Sequence, residues 1–561
     1  MRDTVTGAGP AMLAPVRRLD GDGPAWPGAI WVGQVEDGYI PSAHIPVIDG
    51  SGFSQARFLV WRDGRPLGFV QVPLTDDTVD GSILRARAAD LPRTSVLPRR
   101  RTTPGVSVVI CTRDRPDHLA RLLASLVALD YPEYEIVVVD NNPASGVTRP
   151  VVEAASGVSV RVVDAVGQGL SIARNVGVRH ATHDIVAFTD DDVVIDAQWL
   201  AHLVIGFERD ERVACVCGMV PTVEVLTPSQ AWFDHRVSWA RRWEPALYGL
   251  DDHAADDDLF PLRVSEFGTG ANFAVRKAAV IALGGFDEAL GAGSPAGSGE
   301  DMDIFVRILL SGRLLAREPA AVVWHSHRET VAELDKQMHD YGVGLSALLV
   351  KMLVHPRTMV MVVKRLVVGV RHLGAVTDVE HDAALTAEPG LATVRRRELT
   401  GVARGPWKLL RGRLAGRSGA PLRDRARGIT GVLDFRREQM WGDPRNTILS
   451  GRLAGVAVWC GAIGVLAATG VLPGVLQASA VAVFVLAGPG CLAVSFSPHL
   501  PGPARWALVP TLGSAVCALS VTGLLMAGFW HPWIVLAGLG VLTSAGGLAW
   551  GTYLASRVVR R

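Results

Sequence analysis

The sequence has little net charge, few aromatic residues and few cysteines. Its formal charge is +1 at pH 7 with histidine neutral, so no overall electrostatic field attracts nucleic acid. Aromatic residues make up 6% of the chain, which is too few to suggest platforms for base stacking. The six cysteines show neither the paired spacing of a zinc site nor a secreted disulfide framework. We therefore expect no nucleic-acid partner and a reducing compartment, with Cys215 and Cys217 on one face of a strand.

Charged residues are missing from two long tracts. No Asp, Glu, Lys or Arg occurs in residues 453–504 or in residues 506–556, and the mean hydropathy of the whole chain is +0.25. Each predicted segment has about the 20 residues that a helix needs to cross a bilayer. One buried helical domain is the alternative. The predicted membrane helices lie near 453–472, 475–494, 506–530 and 533–555.

The distribution of arginine predicts the orientation of these helices. Basic stretches such as RRRELTGVARGPWKLLRGRLAGR precede the first tract, and the chain ends in RVVRR. Since cytoplasmic loops are enriched in Lys and Arg, both flanks are expected in the cytoplasm, which requires an even number of crossings. The N-terminus shows no basic-then-apolar leader. We therefore expect a multi-pass protein of the plasma membrane, with everything before Leu453 in the cytoplasm.

Two regions flank the central part of the chain. Residues 1–30 are rich in Gly and Pro and are expected to be loose. Residues 31–97 form a small β-rich module, in which RFLVWRDGRPLGFVQV predicts a hairpin that turns at Asp63–Gly64. Residues 341–452 form a helical and basic connector, whose apolar part, 343–371, either lies on the bilayer surface or packs against the preceding domain.

Residues 105–340 alternate between strand and helix patterns. VSVVIC, EIVVVD and DIVAFTD read as strands, and helical patterns such as GLSIARNVGVRHA lie between them. This alternation predicts a doubly wound α/β sheet, which binds ligands at the carboxyl ends of its strands. Thr112, Asp140 and Asp190 to Asp192 are expected along that edge.

Three consecutive aspartates in AFTDDDVVID call for a cation. Like charges about 4 Å apart repel by ~4 kcal/mol at an effective dielectric constant of 20. Carboxylates at a strand end suit a hard ion such as Mg²⁺ or Mn²⁺, which prefers oxygen ligands and commonly brings a phosphate. A second triplet, Asp256 to Asp258, has no strand before it and is interpreted as an exposed loop.

Five motifs in order carry a family resemblance: CTRDRP, VVVDNN, GLSIARN, TDDD and SGEDMD. Over roughly residues 105–330 the chain resembles the family 2 glycosyltransferases of GT-A fold. The resemblance implies a nucleotide pocket along Val106 to Arg115 and a divalent metal, Mg²⁺ or Mn²⁺. The implied donor-binding residues are Thr112, Arg115, Asp140, Arg174, Asn175, Asp190 and Asp191, and the implied metal ligands are Asp192, Asp190 and His325.

The same resemblance implies an acceptor side. TGANFAVRK supplies Gly270 and Asn272, and the ED motif supplies Asp301 as the base, with Glu300 beside it. Asp303 is interpreted as structural. Three alternatives stay open: Arg174 as a helix-surface cation, His325 as a packing residue, and the Gly-rich run 291–299 as either a closing loop or disorder. His327 is less favoured than His325 as a metal ligand.

These features together predict a membrane-anchored, inverting glycosyltransferase. Its donor would be a UDP-, GDP- or dTDP-linked sugar, and its acceptor a lipid-linked or cell-envelope glycan. No QxxRW motif, which processive members carry, follows Asp301, so addition of one or a few sugars is favoured. The alternatives are a sugar-phosphate nucleotidyltransferase, although CTRDRPDHL lacks the expected glycines, and a non-catalytic envelope-assembly scaffold.

Overall fold

The computed structural model describes thirteen stretches of the chain. They belong to two compact units, Met1–Arg425 and Ala426–Arg561. The second aspartate triplet lies outside the described stretches. These stretches are residues 12–18, 23–92, 102–155, 159–237, 239–250, 260–262, 268–354, 358, 361–362, 390–420, 444–497, 502–526 and 531–559.

The first unit begins with the predicted β-rich module. Parallel pairing of β1 with β3 and antiparallel pairing of β3 with β4 build a three-stranded sheet, while β2 pairs with β5. The elements of the module are β1 (Ile30–Glu36), β2 (His44–Pro46), β3 (Gln55–Arg62), β4 (Arg65–Pro73), β5 (Thr78–Asp80) and α1 (Gly81–Ala89).

Two expectations for this module are tested by its backbone. The hairpin is confirmed, because β3 and β4 meet at Asp63 and Gly64, whose φ angles of 51° and 76° suit a tight primed turn. The expectation that residues 1–30 are loose is wrong for the described part. Leu13 donates its backbone N–H to Pro46 at 3.0 Å, and Val16 donates to Val32 at 3.0 Å. Main-chain hydrogen bonds therefore tie residues 12–18 to the module.

A nine-stranded mixed sheet follows. Its order is β10-β14-β11-β13-β9-β6-β7-β8, with β12 paired to β14. The four neighbouring strands β8, β7, β6 and β9 are parallel to one another. Strand β13 runs antiparallel to both β9 and β11. These strands are β6 (Val106–Thr112), β7 (Tyr134–Asp140), β8 (Val160–Asp164), β9 (Ile185–Thr189), β10 (Val193–Ile195), β11 (Val213–Met219), β12 (Ala246–Tyr248), β13 (Asn272–Arg276) and β14 (Leu314–His325).

Helices cover both faces of this sheet, as the strand patterns predict. Val108 and Ile110 of β6 pack on one face with α2 and α5, and Val109 packs on the other face with α4 and α8. Side chains alternate along a strand, so a continuous apolar run indicates burial on both faces. The helices are α2 (Pro116–Val127), α3 (Thr148–Ala154), α4 (Leu170–His180), α5 (Trp199–Phe207), α6 (Pro228–Arg236), α7 (Lys277–Ala282) and α8 (Glu300–Leu310).

A pair of long helices completes the described part of the first unit. Helix α9 (Val331–Val354) and helix α10 (Leu391–Leu414) pack together. Leu348 and Met352 of α9 enter the same core as Phe305 of α8. Of the two placements predicted for the apolar segment beginning at 343, packing against the preceding domain therefore holds for its described residues up to Val354.

The described residues of the second unit form four long apolar helices. All four are long and apolar enough to cross a membrane, which agrees with the number predicted from the charge-free tracts. Leu453, Cys491 and Val509 come from three of them and share a buried cluster. The six cysteines of the chain are free, and Cys215 and Cys217 lie with their sulfurs 3.9 Å apart on one face of β11. The helices are α11 (Pro444–Ala468), α12 (Gly474–Ser495), α13 (Gly502–Met526) and α14 (Pro532–Val559).

Candidate active site

A cleft of about 1170 Å³ lies at the carboxyl ends of the parallel strands. Strands β6 and β9 deliver polar side chains to it because their apolar runs end there, at Thr112 and at Asp190. The N-terminus of α8 and one side of α9 line the cleft from across. The predicted residues that line it are Thr112, Arg115, Arg174, Asp190, Asp191, Asp192, Gly270, Glu300, Asp301 and His325.

The aspartate triplet is held by cations and a hydroxyl. Asp191 accepts hydrogen bonds from Thr112 Oγ1 at 2.7 Å and from Arg115 Nη1 at 2.8 Å. The same guanidinium nitrogen reaches Asp192 Oδ2 at 3.0 Å. Asp191 and Asp192 are buried, so their charges need such partners. Arg115 therefore forms ion pairs with two of the three aspartates.

Strand pairing brings a histidine to the same cluster. Val193 of β10 pairs with His325 of β14, which places the histidine beside the preceding aspartate. His325 Nε2 lies 3.3 Å from Asp192 Oδ1. One ligand atom from each of Asp190, Asp192 and His325 lies within 4.8 Å of the others. Two carboxylates and an imidazole form a donor set suitable for a divalent ion such as Mn²⁺, so these residues fit the metal that the sequence predicts.

The pKa values of Asp190, Asp192 and His325 shift in different directions. Burial raises the pKa of Asp190 to about 6, with the nearby Asp192 adding to the effect and Arg174 opposing it. For Asp192, burial works in the same upward direction, but His325, Arg115 and Arg328 together outweigh it and hold the pKa of Asp192 below its usual range. Burial lowers and Asp192 raises the pKa of His325, and the net direction is upward. Without a metal, Asp192 and His325 therefore each favour the charged form of the other.

Arg174 joins the two sides of the cleft. Its guanidinium donates to Glu300 Oε1 at 2.8 Å and to the carbonyl oxygen of Gly270 at 2.9 Å, and it lies 3.6 Å from Asp190 Oδ1. It is 2% exposed, so the alternative of a helix-surface cation is wrong. Three phenylalanine rings surround the guanidinium at 5.4 to 5.9 Å: Phe188, Phe273 and Phe286.

The predicted acceptor side is centred on Asp301 at the N-terminus of α8. Its Oδ2 accepts the N–H of Gly270 at 2.7 Å, and its Oδ1 accepts the N–H of Met302 at 2.7 Å. Two neutral backbone donors thus fix the orientation of this carboxylate. Glu300 beside it is buried, and burial together with the charge of Asp301 raises the pKa of Glu300 to about 7. Gly270 serves both sides, because its carbonyl binds Arg174 while its N–H binds Asp301.

The Gly-rich run before α8 is folded in this structure. Gly291, Gly293, Gly297 and Gly299 all have positive φ angles, which explains why glycine recurs there. Ser298 donates its hydroxyl to the carbonyl of Asp340 on α9 at 3.1 Å. The run is an ordered wall of the cleft, and closure over substrate stays a prediction. Asp303 is structural as expected, since it accepts Arg307 Nε at 2.7 Å in a fully buried pair.

Three predicted site residues are not among the described residues that line the cleft. The side-chain amide of Asn175 binds the backbone of Phe286. Its nitrogen donates to the carbonyl oxygen of Phe286 at 3.0 Å, and its oxygen accepts the N–H of Phe286 at 2.7 Å. Asn272 donates to the carbonyls of Met219 and Ala321 and accepts Trp199 Nε1 at 2.8 Å. Asp140 is buried and accepts the N–H of Asn142 at 2.9 Å. Asn175 and Asn272 thus act in this structure as internal braces.

Residues that the sequence predictions missed complete the site. Arg328 Nη1 lies 3.6 Å from Asp192 Oδ2, and its position just after the histidine pair was the available signal. Arg17 donates to Ser326 Oγ at 3.2 Å and lies 3.2 Å from Glu224, which also accepts the Ser326 hydroxyl. The N-terminal segment therefore braces the strand end that carries His325. No local motif connects these three positions.

Comparison with known proteins decides the family. The model of glycosyl transferase family 2 matches residues 107–279. The succinoglycan biosynthesis protein ExoM of Rhizobium meliloti is 30% identical over 238 residues, which cover 41% of this chain and 69% of that protein. The chain belongs to glycosyltransferase family 2. Its mixed sheet with helices on both faces is the GT-A fold that the motifs predict.

Other relatives of this family 2 chain share only part of its length. A pre-mycofactocin glycosyltransferase of Mycobacterium tuberculosis is 31% identical over 253 residues, 45% of this chain. The alignment spans about half of that relative, 48% of its length. A solved mannosyltransferase from Pyrobaculum calidifontis, in complex with GDP-Man and Mn²⁺, aligns with 20% identity and a TM-score of 0.37, over 55% of this chain and 89% of that one.

Proposed function

We propose that this chain is a membrane-anchored, metal-dependent, inverting glycosyltransferase that uses a nucleotide-linked sugar. The observation that carries the proposal is the contact set of Arg174, which touches Asp190 on one side of the cleft and Glu300 on the other. One guanidinium therefore spans the distance between the candidate metal ligands and the ED motif. A donor diphosphate and an acceptor hydroxyl bound on these two sides would meet near Gly270.

Asp301 is the proposed base. As the acceptor oxygen forms its bond to the anomeric carbon, its proton passes to the Asp301 carboxylate. The bond from the anomeric carbon to the diphosphate oxygen breaks, and its electron pair leaves with the nucleoside diphosphate. Attack opposite the leaving group inverts the anomeric configuration. Two backbone N–H donors hold this carboxylate, and a base in fixed orientation contributes roughly 10²–10⁴-fold to such a reaction.

The donor side is proposed to hold the diphosphate through a metal and nearby cations. Asp190, Asp192 and His325 would be the protein ligands of Mg²⁺ or Mn²⁺. A bound divalent ion neutralises negative charge on the leaving diphosphate. Arg115 and Arg328, which both contact Asp192, lie where they can move from the carboxylate to phosphate oxygens. Thr112 and Asp191 position Arg115 at the end of β6.

The acceptor is proposed to be a lipid-linked or cell-envelope glycan at the cytoplasmic face of the plasma membrane. Four helices that are long and apolar enough to cross a bilayer support membrane anchoring, and the basic flanks of these helices support a cytoplasmic catalytic unit. The absence of a QxxRW motif after Asp301 in the sequence supports addition of one or a few sugars.

The test is a transfer assay with the full chain in lipid nanodiscs and a panel of UDP-, GDP- and dTDP-linked sugars. We expect turnover of one nucleotide class that stops with EDTA and returns with Mn²⁺ or Mg²⁺. NMR of the product should show an inverted anomeric centre, and mass spectrometry should show one or a few added sugars. Undiminished turnover in EDTA, a retained configuration or long polymers would each contradict the corresponding part of the proposal.

A further inference from the structure

Helix α10 exposes an apolar stripe that no described element covers. Its exposed fractions are 41% for Leu399, 36% for Val402, 62% for Trp407, 48% for Leu410 and 75% for Leu414. With 3.6 residues per turn, these positions fall on one face of the helix. The other large exposed apolar residues described in the first unit are spread singly over separate segments, for example Tyr39 and Ile281. An exposed stripe of this kind marks an interaction surface.

The opposite face of α10 is firmly packed. Val394 and Leu409 are buried, and a Cβ atom at Gly401 would come within 2.1 Å of the carbonyl oxygen of His339 on α9. The two helix backbones are therefore in close contact. Arg413 donates to both carboxylate oxygens of the buried Asp287, which fixes the C-terminal end. The helix cannot turn its stripe inward without breaking these contacts.

The charge of α10 selects the occupant of the stripe. The helix has seven Lys or Arg residues and one acidic residue. Arg404, Lys408 and Arg411 recur at helical spacing and form a basic line beside the stripe. Among the described residues, no acidic partner contacts Lys408 or Arg411. A basic line beside an apolar stripe with a tryptophan is the pattern of a helix that lies in the headgroup region of an anionic bilayer.

We propose that α10 lies on the membrane surface, with Trp407, Leu410 and Leu414 in the acyl boundary and Arg404, Lys408 and Arg411 at anionic headgroups. Long basic side chains can reach headgroups while their apolar stems lie along the membrane. Of the segment 343–371, for which the sequence left both placements open, the described part packs inward, whereas α10 carries the exposed apolar face.

The position of α10 gives this surface a functional consequence. Glu398, adjacent to the first residue of the stripe, lines the cleft. A lipid-borne acceptor lying in the headgroup region would therefore enter the cleft beside α10. This consequence rests on the proposed function, whereas the membrane contact itself does not.

The membrane contact is tested by measuring depth. Trp407→Cys, Leu410→Cys and Leu414→Cys are made singly in a full chain carrying Cys111→Ala, because Cys111 is the one cysteine that is not buried. Each is nitroxide-labelled and placed in nanodiscs of phosphatidylglycerol or phosphatidylcholine. Relaxation by oxygen reports lipid, and relaxation by a water-soluble nickel chelate reports water. Ile281→Cys, an exposed apolar position on α7, is the matched control.

We expect oxygen to dominate at 407, 410 and 414, more strongly in phosphatidylglycerol, and nickel to dominate at 281. Nickel access at all four positions would overturn the proposal. Shielding of 407, 410 and 414 from both reagents would also overturn it, since a protein or second copy would then cover the stripe. Equal depth in both lipids would overturn the assignment to anionic headgroups.

A second variant tests the functional consequence. Leu410→Glu is expected to lower transfer to a lipid-borne acceptor by about tenfold or more, without lowering transfer to the same glycan on a water-soluble carrier. If the label at 407 lies in lipid but Leu410→Glu does not change transfer, the membrane contact is supported and its role in acceptor delivery is refuted. Loss on both acceptors would contradict a role confined to the membrane.

Discussion

The two sides of the cleft hold their carboxylates in different ways. On the proposed donor side, Asp191 and Asp192 are paired with the side chains of Arg115 and His325. On the acceptor side, Asp301 is held by two neutral backbone N–H groups. Side chains can move aside for a metal and a diphosphate, whereas backbone donors stay in place. We infer that the donor side is arranged for exchange of partners and the acceptor side for fixed orientation.

The largest expected effect comes from Asp301→Asn. An amide keeps the size and an oxygen acceptor but cannot take the proton of the acceptor hydroxyl. Turnover should therefore fall by roughly 10²–10⁴-fold, while nucleotide binding stays close to that of the wild type, as measured by steady-state transfer and by calorimetry.

Asp210→Asn is the matched control for this change. Asp210 also accepts a backbone N–H, from Arg212 at 2.8 Å, but it is not among the described residues that line the cleft. Full transfer by Asp301→Asn, or equal loss in both variants, would refute the assignment of the base.

Asp192→Asn is expected to weaken nucleotide binding, which Asp301→Asn should leave close to that of the wild type. Loss of this carboxylate removes a proposed metal ligand and the partner of His325, so Mn²⁺-dependent nucleotide binding should weaken by more than about 100-fold, beyond the effect typical of residues behind the ligands. Calorimetric titrations with and without Mn²⁺ measure this directly. Metal-dependent binding of normal strength would mean that Asp192 is no ligand.

The next largest expected effect distinguishes His325 from His327 by their contributions to Mn²⁺-dependent nucleotide binding. His325 faces Asp192, while His327 lies behind it, with the two Nδ1 atoms 3.3 Å apart. His325→Ala should weaken Mn²⁺-dependent binding by roughly 10–100-fold and His327→Ala by about tenfold or less. A larger effect of His327→Ala in the same titration would exchange their roles.

The smallest effect is a pH dependence of stability from Glu300. Its pKa is about 7 in the folded chain, above the ordinary value for glutamate. Between about pH 4.5 and pH 7 the folded state therefore binds more protons than the unfolded state, so stability falls as pH rises. Glu300→Gln, which can still accept from Arg174, should remove part of this fall.

Thermal unfolding of wild type and Glu300→Gln at about pH 5 and pH 7 tests this expectation. The wild type should lose more of its Tm between the two pH values, by a few degrees on the order expected for about 1–2 kcal/mol. Identical pH dependence in the two proteins would show that Glu300 does not titrate in this range.

Sequence patterns sufficed where the cause is local. Burial on both faces of β6 and β9 follows from their β-branched runs, and the turn at Asp63–Gly64 follows from the residues it needs. The four long apolar helices described in the second unit follow from an absence of charge over lengths that match a bilayer. The residues brought to the cleft by strand ends, Thr112 and Asp190 to Asp192, could be predicted for the same reason.

What the sequence did not predict depends on long-range contacts. Asn175 and Asn272 belong to motifs that resemble those of the family and were therefore predicted at the site. Their amides instead bind the backbone of Phe286 and the carbonyl oxygens of other strands. The contacts of Arg17 with Ser326 and Glu224 join segments about 300 and 200 residues away. Helix α9 buries its apolar residues because α8 and α10 pack against it. Periodicity shows that a face is apolar but not what covers it.

The most direct test of the account is calorimetric binding of UDP, GDP and dTDP to the full chain in nanodiscs, with and without Mn²⁺. Wild type, Asp192→Asn and Asp301→Asn are compared in the same titration. The account predicts Mn²⁺-dependent binding of one nucleotide that Asp192→Asn loses and Asp301→Asn retains. Binding that ignores Mn²⁺, or that both variants lose alike, would contradict the division of the cleft into a metal-bearing donor side and a base-bearing acceptor side.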